Sequence, residues 1–148
     1  MTKIVSVYNQ KGGAGKTQVS MQLAAIFSTR GYNVLVVDMD RQGTDIRWHG
    51  RAPKDKPFPA KVVSYAALAD DLVKHLRDIA PHYDLVLIDC PPAIESTVPW
   101  TALLVSHLGL IPIMPAMDNI WAAHDAKELG VRAQAKNKQL QLASFVNN

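Results

Sequence analysis

Short uninterrupted apolar runs alternate along this chain with longer segments in which apolar residues recur every three or four positions. A run of four to six apolar residues suits a strand buried on both faces, and a period near 3.6 suits a helix with one apolar stripe. The runs predict strands at 3–8, 33–38, 61–64, 84–89, 109–114 and 140–146, with helices between them. Residues 17–30 carry Val19, Leu23, Ile26 and Phe27 at helical spacing and stop at Gly31, a residue suited to a helix C-terminus. Residues 65–79 align Leu68, Leu72, Leu76 and Ile79 on one stripe, with Pro81 just beyond. Segments 95–108 and 120–139 are the other two helices, and 44–60, which holds Pro53, Pro57 and Pro59 and has no clean period, reads as a long loop. Strands alternating with helices predict an α/β fold, a doubly wound and mostly parallel sheet with helices on both faces. Residues 98–117 are apolar over nearly the length of a membrane span, but Pro99, His107, Pro112 and Pro115 favour a buried helix, a turn and a buried strand.

Composition narrows the class. With 148 residues the chain can bury roughly two-thirds of its unfolded surface, and 48% hydrophobic against 20% charged residues is the balance of a folded globular protein. The formal charge of +3 is a mild bias toward polyanions. Cys90 is the single cysteine, which excludes an internal disulfide or a cysteine-only metal cage and points to a reducing, cytoplasmic setting. The apolar run 4–8 is too short for a signal peptide and leads into a Gly-rich stretch.

That stretch, Gln10-Lys11-Gly12-Gly13-Ala14-Gly15-Lys16-Thr17, lies between a predicted strand and a predicted helix. This is the context of a phosphate-binding loop. Glycines let the backbone curl so that successive N–H groups point at phosphate oxygens, and the helix N-terminus adds its positive end. Lys16 is then placed for the β and γ phosphates and the Thr17 hydroxyl for Mg2+. Acidic residues at the carboxyl ends of neighbouring strands are candidates for metal and water, and Asp38, Asp40 and Asp89 stand at such ends. An Asp in such a position equally suits a cap of the next helix or turn.

The loop resembles that of the ParA/MinD family of deviant Walker A ATPases, whose motif reads KGGxGK[ST] and whose extra lysine matches Lys11. The resemblance runs through most of the chain and is strongest at 9–17, 34–43 and 84–92. It implies a P-loop NTPase fold that binds ATP with Mg2+ through Lys11, Gly12, Gly13, Ala14, Gly15, Lys16, Thr17 and Gln18. It implies that Lys11 reaches across an ATP-sandwich dimer to the partner's phosphates. VVDMDRQG resembles the family's DxDPQG motif, so that Asp40 orients the attacking water and Asp38 helps to hold the magnesium shell. LVLID followed by Cys90-Pro91-Pro92 resembles Walker B and the DxPP turn, making Asp89 a magnesium residue. Asn147 and Asn148 resemble the adenine-contacting segment, and the family continues through further helices. The chain is therefore expected to be one P-loop ATPase domain over 1–148, truncated at its C-terminal end. Two positions depart from the pattern: Arg41 stands where the family usually has proline, and Gln18 where a second hydroxyl is common.

Further features are less specific. Between 41 and 61, six basic residues (Arg41, Arg47, Arg51, Lys54, Lys56, Lys61) accompany two acids, Asp45 and Asp55, with Trp48 and Phe58 nearby. Arg132, Lys136 and Lys138 form a second basic group. Either can meet DNA phosphates or simply be solvated. The histidines show no metal spacing, Cys90 reads as packing, and Trp100, Trp121, Met114 and Met117 read as core or interface. The resemblance, with the mildly basic surface, implies an ATP-hydrolysing partition protein that is cytoplasmic and, as an ATP-bound homodimer, associates with the bacterial nucleoid through nonspecific DNA. A centromere-binding adaptor would stimulate hydrolysis during plasmid or chromosome segregation, and no membrane is expected. The alternatives are a MinD-like membrane-associated positioning ATPase, a ligase or kinase relative, and a nucleotide binder with weak turnover. The nitrogenase iron protein is disfavoured because one cysteine cannot hold its bridging cluster.

Overall fold

The computed structural model describes residues 1–94 and 96–146. Six strands, β1 (Lys3–Val7), β2 (Val34–Asp38), β3 (Lys61–Ser64), β4 (Leu85–Asp89), β5 (Leu108–Ile113) and β6 (Gln141–Val146), form one sheet. Its order is β3-β2-β4-β1-β5-β6, and every pairing is parallel. The helices are α1 (Lys16–Thr29), α2 (Thr44–Gly50), α3 (Leu72–Ile79), α4 (Val98–Val105) and α5 (Met117–Lys136).

The pleat divides each strand between two cores. Val5, Val34, Val36 and Leu87 point to one face, where Met21, Ala24, Leu23 and Phe27 of α1 cover them. Leu35, Val37, Val86, Ile88 and Ile111 point to the other, under Leu72 and Leu76 of α3, Ala102 and Leu103 of α4, and Ala126 and Ala133 of α5. Burial on both sides explains why these strands read as continuous apolar runs. α5 approaches the sheet closely at Gly130, where an added Cβ would lie 2.5 Å from Tyr8 Oη and 2.7 Å from Leu142. Tyr8, fully buried, donates its hydroxyl to Ala126 O at 3.0 Å.

All six predicted strands are present, and the helices need correction. The predicted loop 44–60 contains α2, which starts behind Gly43 in a left-handed conformation (φ 62°). The predicted helix 65–79 is a 3-10 segment over Ala66–Asp71, interrupted at Leu68, followed by α3. The helix expected over 95–108 is shorter: Pro99 lies in its first turn, and after Val105 the chain turns extended so that His107 N–H bonds Ile4 O, extending the sheet. The helix expected over 120–139 starts at Met117 and ends before Asn137, whose side-chain amide donates to Leu103 O and Ser106 O and ties the exit of α5 to α4. No helix among the described residues is long and apolar enough to cross a membrane; residues 98–117 divide into α4, β5 and the first residue of α5. Met117 and Trp121 are 78% and 72% exposed, so they are not core.

Gly130→Ala should destabilise the protein by about 1–3 kcal/mol, because Tyr8 and Leu142 must both give way. Urea unfolding monitored by circular dichroism would read this as a lower midpoint. A second expectation concerns pH. His107 Nδ1 accepts the Ile4 N–H at 3.0 Å, and burial, with Lys3 nearby, holds its imidazole below the usual range. The unfolded chain therefore takes up the proton first, and this contribution to stability is lost as pH falls through about 6.5. The melting temperature should drop between pH 7.5 and 5.5, and less steeply in His107→Gln.

Candidate functional site

Strands β1 and β4 are neighbours in the sheet, yet the chain leaves β1 toward β2 and leaves β4 toward β5, on opposite sides. Their carboxyl ends thus border the crevice at which α/β sheets bind ligands. The Gly-rich loop follows β1 at this point. Asn9, fully buried, secures its base by donating to Pro112 O at 2.8 Å while its own carbonyl receives the Ala93 N–H. Gly13 (φ 74°) and Gly15 (φ 85°) take left-handed backbone conformations that a side chain would strain, and Gly15 caps α1. Lys16 opens α1, is 7% exposed and donates Nζ to Lys11 O at 2.8 Å. Thr17 donates its hydroxyl to Asp89 Oδ2 at 2.7 Å. Ala14 is buried, whereas Gly12, Gly13 and Gln18 are exposed.

Register brings the carboxylates together, because Asp38 and Asp89 are direct partners across β2 and β4. Both are buried. Asp38 accepts the N–H of Asp40 at 2.9 Å and of Asp45 at 3.1 Å, one on each oxygen. Asp40, half-buried, accepts the Gln42 N–H and lines a cleft with Met39, Arg41, Pro91 and Pro92. Asp45 belongs in sequence to the charged segment 41–61, yet it is not at the surface. It is fully buried in the first turn of α2, and its carboxylate lies with those of Asp38 and Asp89, one oxygen from each within 4.8 Å of the others. Neither Asp45 oxygen meets a hydrogen-bond donor; two carboxylates can bond each other only by sharing a proton. Burial, foremost, pushes all three carboxyls above the usual range, and the neighbouring negative charges push the same way. Three oxygen donors beside a threonine hydroxyl are a suitable set for a hard divalent cation. One signal for Asp45 was available: Gly-Thr-Asp places an acid where the positive end of a helix favours it.

Lys11 pairs with Asp118 in the first turn of α5, and the ammonium holds that carboxyl below its usual range. Arg41 is exposed at the mouth of the cleft. All six basic residues of 41–61 are exposed, and with Asp45 turned inward Asp55 is the one acid left among them at the surface. Arg132, Lys136 and Lys138 are also exposed, and the Arg132 guanidinium lies 5.6 Å from the centre of the Trp100 ring. Cys90 is buried and burial pushes its thiol up, which leaves a neutral packing group. Glu95, Asn147 and Asn148 lie outside the described residues, and so does the adenine contact expected of Asn148.

Residues 2–56 match the AAA domain family. The chain is 31% identical over 143 residues to the maintenance of carboxysome distribution protein A of Halothiobacillus neapolitanus, covering 97% of this chain and 65% of that protein. It is 26% identical to the chromosome partitioning protein ParA of Myxococcus xanthus, covering 75% of this chain and 52% of that one. The chain thus spans between half and two-thirds of the length of these relatives. Among solved structures, cobyrinic acid a,c-diamide synthase of Mycobacterium smegmatis, with a bound ATP analog and magnesium, superposes with a TM-score of 0.83 at 20% identity, over 99% of this chain and 75% of that one. That likeness concerns the fold, which is the P-loop NTPase fold, and in its loop motif and its relatives the chain is similar to ParA-type ATPases.

Proposed function

We propose that this chain is the nucleotide-binding domain, over 1–148, of an ATPase that positions a large cargo, with Mg-ATP as substrate. The observation that carries the reading is the meeting of the loop 11–17, Thr17, Asp38 and Asp89 at the carboxyl ends of β1, β2 and β4. Phosphate oxygens are received by the N–H groups of the loop, and Lys16 exchanges its bond to Lys11 O for the β and γ phosphates. Thr17, Asp38 and Asp89 would hold magnesium, which would supply charge neutralisation at those oxygens. Asp40 orients the attacking water from the cleft beside it. Lys11 leaves Asp118 and crosses to the phosphates of a second copy. Its pair with Asp118 is solvent-exposed and correspondingly cheap to break.

The ATP-bound dimer holds DNA without sequence preference through the exposed basic residues of 41–61 and the Arg132, Lys136 and Lys138 group, and an adaptor on the cargo stimulates hydrolysis. The relatives are named for carboxysome distribution and for chromosome partitioning, and both names concern the placement of a large cargo. The reading places the protein in the cytoplasm, on the nucleoid when ATP is bound.

Lys16→Ala should weaken ATP binding and lower turnover by roughly 100-fold or more, and Asp40→Ala should keep ATP binding while lowering turnover by a similar factor. Equilibrium binding of a fluorescent ATP analogue and phosphate release measure the two separately; unchanged binding in Lys16→Ala would count against the site. Lys11→Ala should still bind ATP but lose ATP-dependent dimerisation, read by light scattering. Binding to duplex DNA of arbitrary sequence should appear with Mg-ATP, be absent with Mg-ADP or no nucleotide, and weaken steeply with salt. No DNA binding under any condition would remove DNA from the reading while leaving the ATP site in place.

A further inference from the structure

Asp45 has no part in the mechanism above, yet its carboxyl is fully buried beside those of Asp38 and Asp89. Its backbone N–H is bonded to Asp38 Oδ2, and it belongs to the first turn of α2, whose start Gly43 fixes. It is fully buried, with neither oxygen meeting a donor, and it is aimed at the oxygens of Asp38 and Asp89. Those two are themselves held in place, Asp38 by two backbone N–H groups and Asp89 by the Thr17 hydroxyl. Each carboxylate oxygen has two lone pairs, so these bonds leave acceptor capacity free. A buried carboxylate without a donor is costly, and a cation among the three removes the cost for all of them together.

We propose that Asp38, Asp45 and Asp89 form a divalent-cation site that fills before nucleotide binds, with Asp45 as a direct ligand. The chemistry selects a hard ion with oxygen ligands that retains several waters, Mg2+ or its spectroscopic substitute Mn2+. Such a site would leave the protein loaded with its metal when the nucleotide arrives. The inference shares Asp38 and Asp89 with the ATP reading, but its test contains no nucleotide, and ATP binding is measured apart from it, so either can fail without the other.

The test titrates Mn2+ into the nucleotide-free protein, following loss of the free-ion electron paramagnetic resonance signal, together with melting temperature in chelator and in Mn2+. Expected are one saturable site per chain, a melting temperature raised by the metal, and affinity at least about tenfold weaker in Asp45→Asn, which keeps the shape and removes the charge. In chelator the Asn variant should melt at or above the wild-type temperature, because the Asn amide can donate to the neighbouring carboxylates. Absence of saturable Mn2+ binding in the wild-type protein overturns the proposal, in favour of a proton shared between Asp45 and its neighbours. Equal affinity in wild type and variant overturns it as well. Should Asp45→Asn fail to fold, Asp45→Ala takes its place, and the wild-type titration alone still decides against the site if no binding occurs.

Discussion

The arrangement of this protein depends on parallel strands β1 and β4 lying side by side while their chains continue in opposite directions across the sheet. That reversal leaves a crevice that no crossover helix fills. It is also where two strand ends in register place charge: Asp38 and Asp89 stand level with one another and with Val7, the last residue of β1, as the pairings of β4 with β2 and β1 show. Apolar runs that are buried on both faces give way there to carboxylates, which stay buried because the helices behind them continue to exclude water.

Holding these like charges together requires compensation from the backbone and from basic groups. The N–H groups of Asp40 and Asp45 face Asp38, the Thr17 hydroxyl faces Asp89, and Lys16 opens α1 across the crevice. Asp45 is the exception, since no donor reaches it. A group of carboxylates that is incompletely satisfied by the protein alone is poised to take up a cation, and the phosphate loop on the other side of Thr17 is poised to take up an anion. The two halves complement one another, which is the physical sense of a site for a metal-bound polyphosphate. The exposed apolar side chains Ile94, Met117, Ile120 and Trp121 and the pair between Lys11 and Asp118 belong to the same side of the molecule, following β4 and β5.

Much of this was legible in the chain. A continuous apolar run can hardly be anything but a buried strand when amphipathic segments flank it, and all six runs became strands. The Gly-rich turn and the strand-end placement of Asp38 and Asp89 were legible because each depends on local spacing. Helix limits were less legible. The 3-10 segment before α3 and the early end of α4 arise because Tyr65 and His107 donate backbone N–H groups to Asp38 O and Ile4 O, bonds to distant strands that override local helical preference.

The sequence by itself determined the alternation of strand and helix, the Gly-rich turn after β1 and the strand-end position of two carboxylates, since these follow from side-chain period and from glycine and aspartate chemistry over a few neighbouring residues. Only the tertiary structure decided the strand order, and with it the pairing of Asp38 with Asp89, the inward turn of Asp45 and the reach of Lys11 to Asp118. Those contacts join residues far apart in the chain. Short-range preference carries no information about which strand lies beside which; the shared burial of both sheet faces under α1 on one side and α3, α4 and α5 on the other sets that.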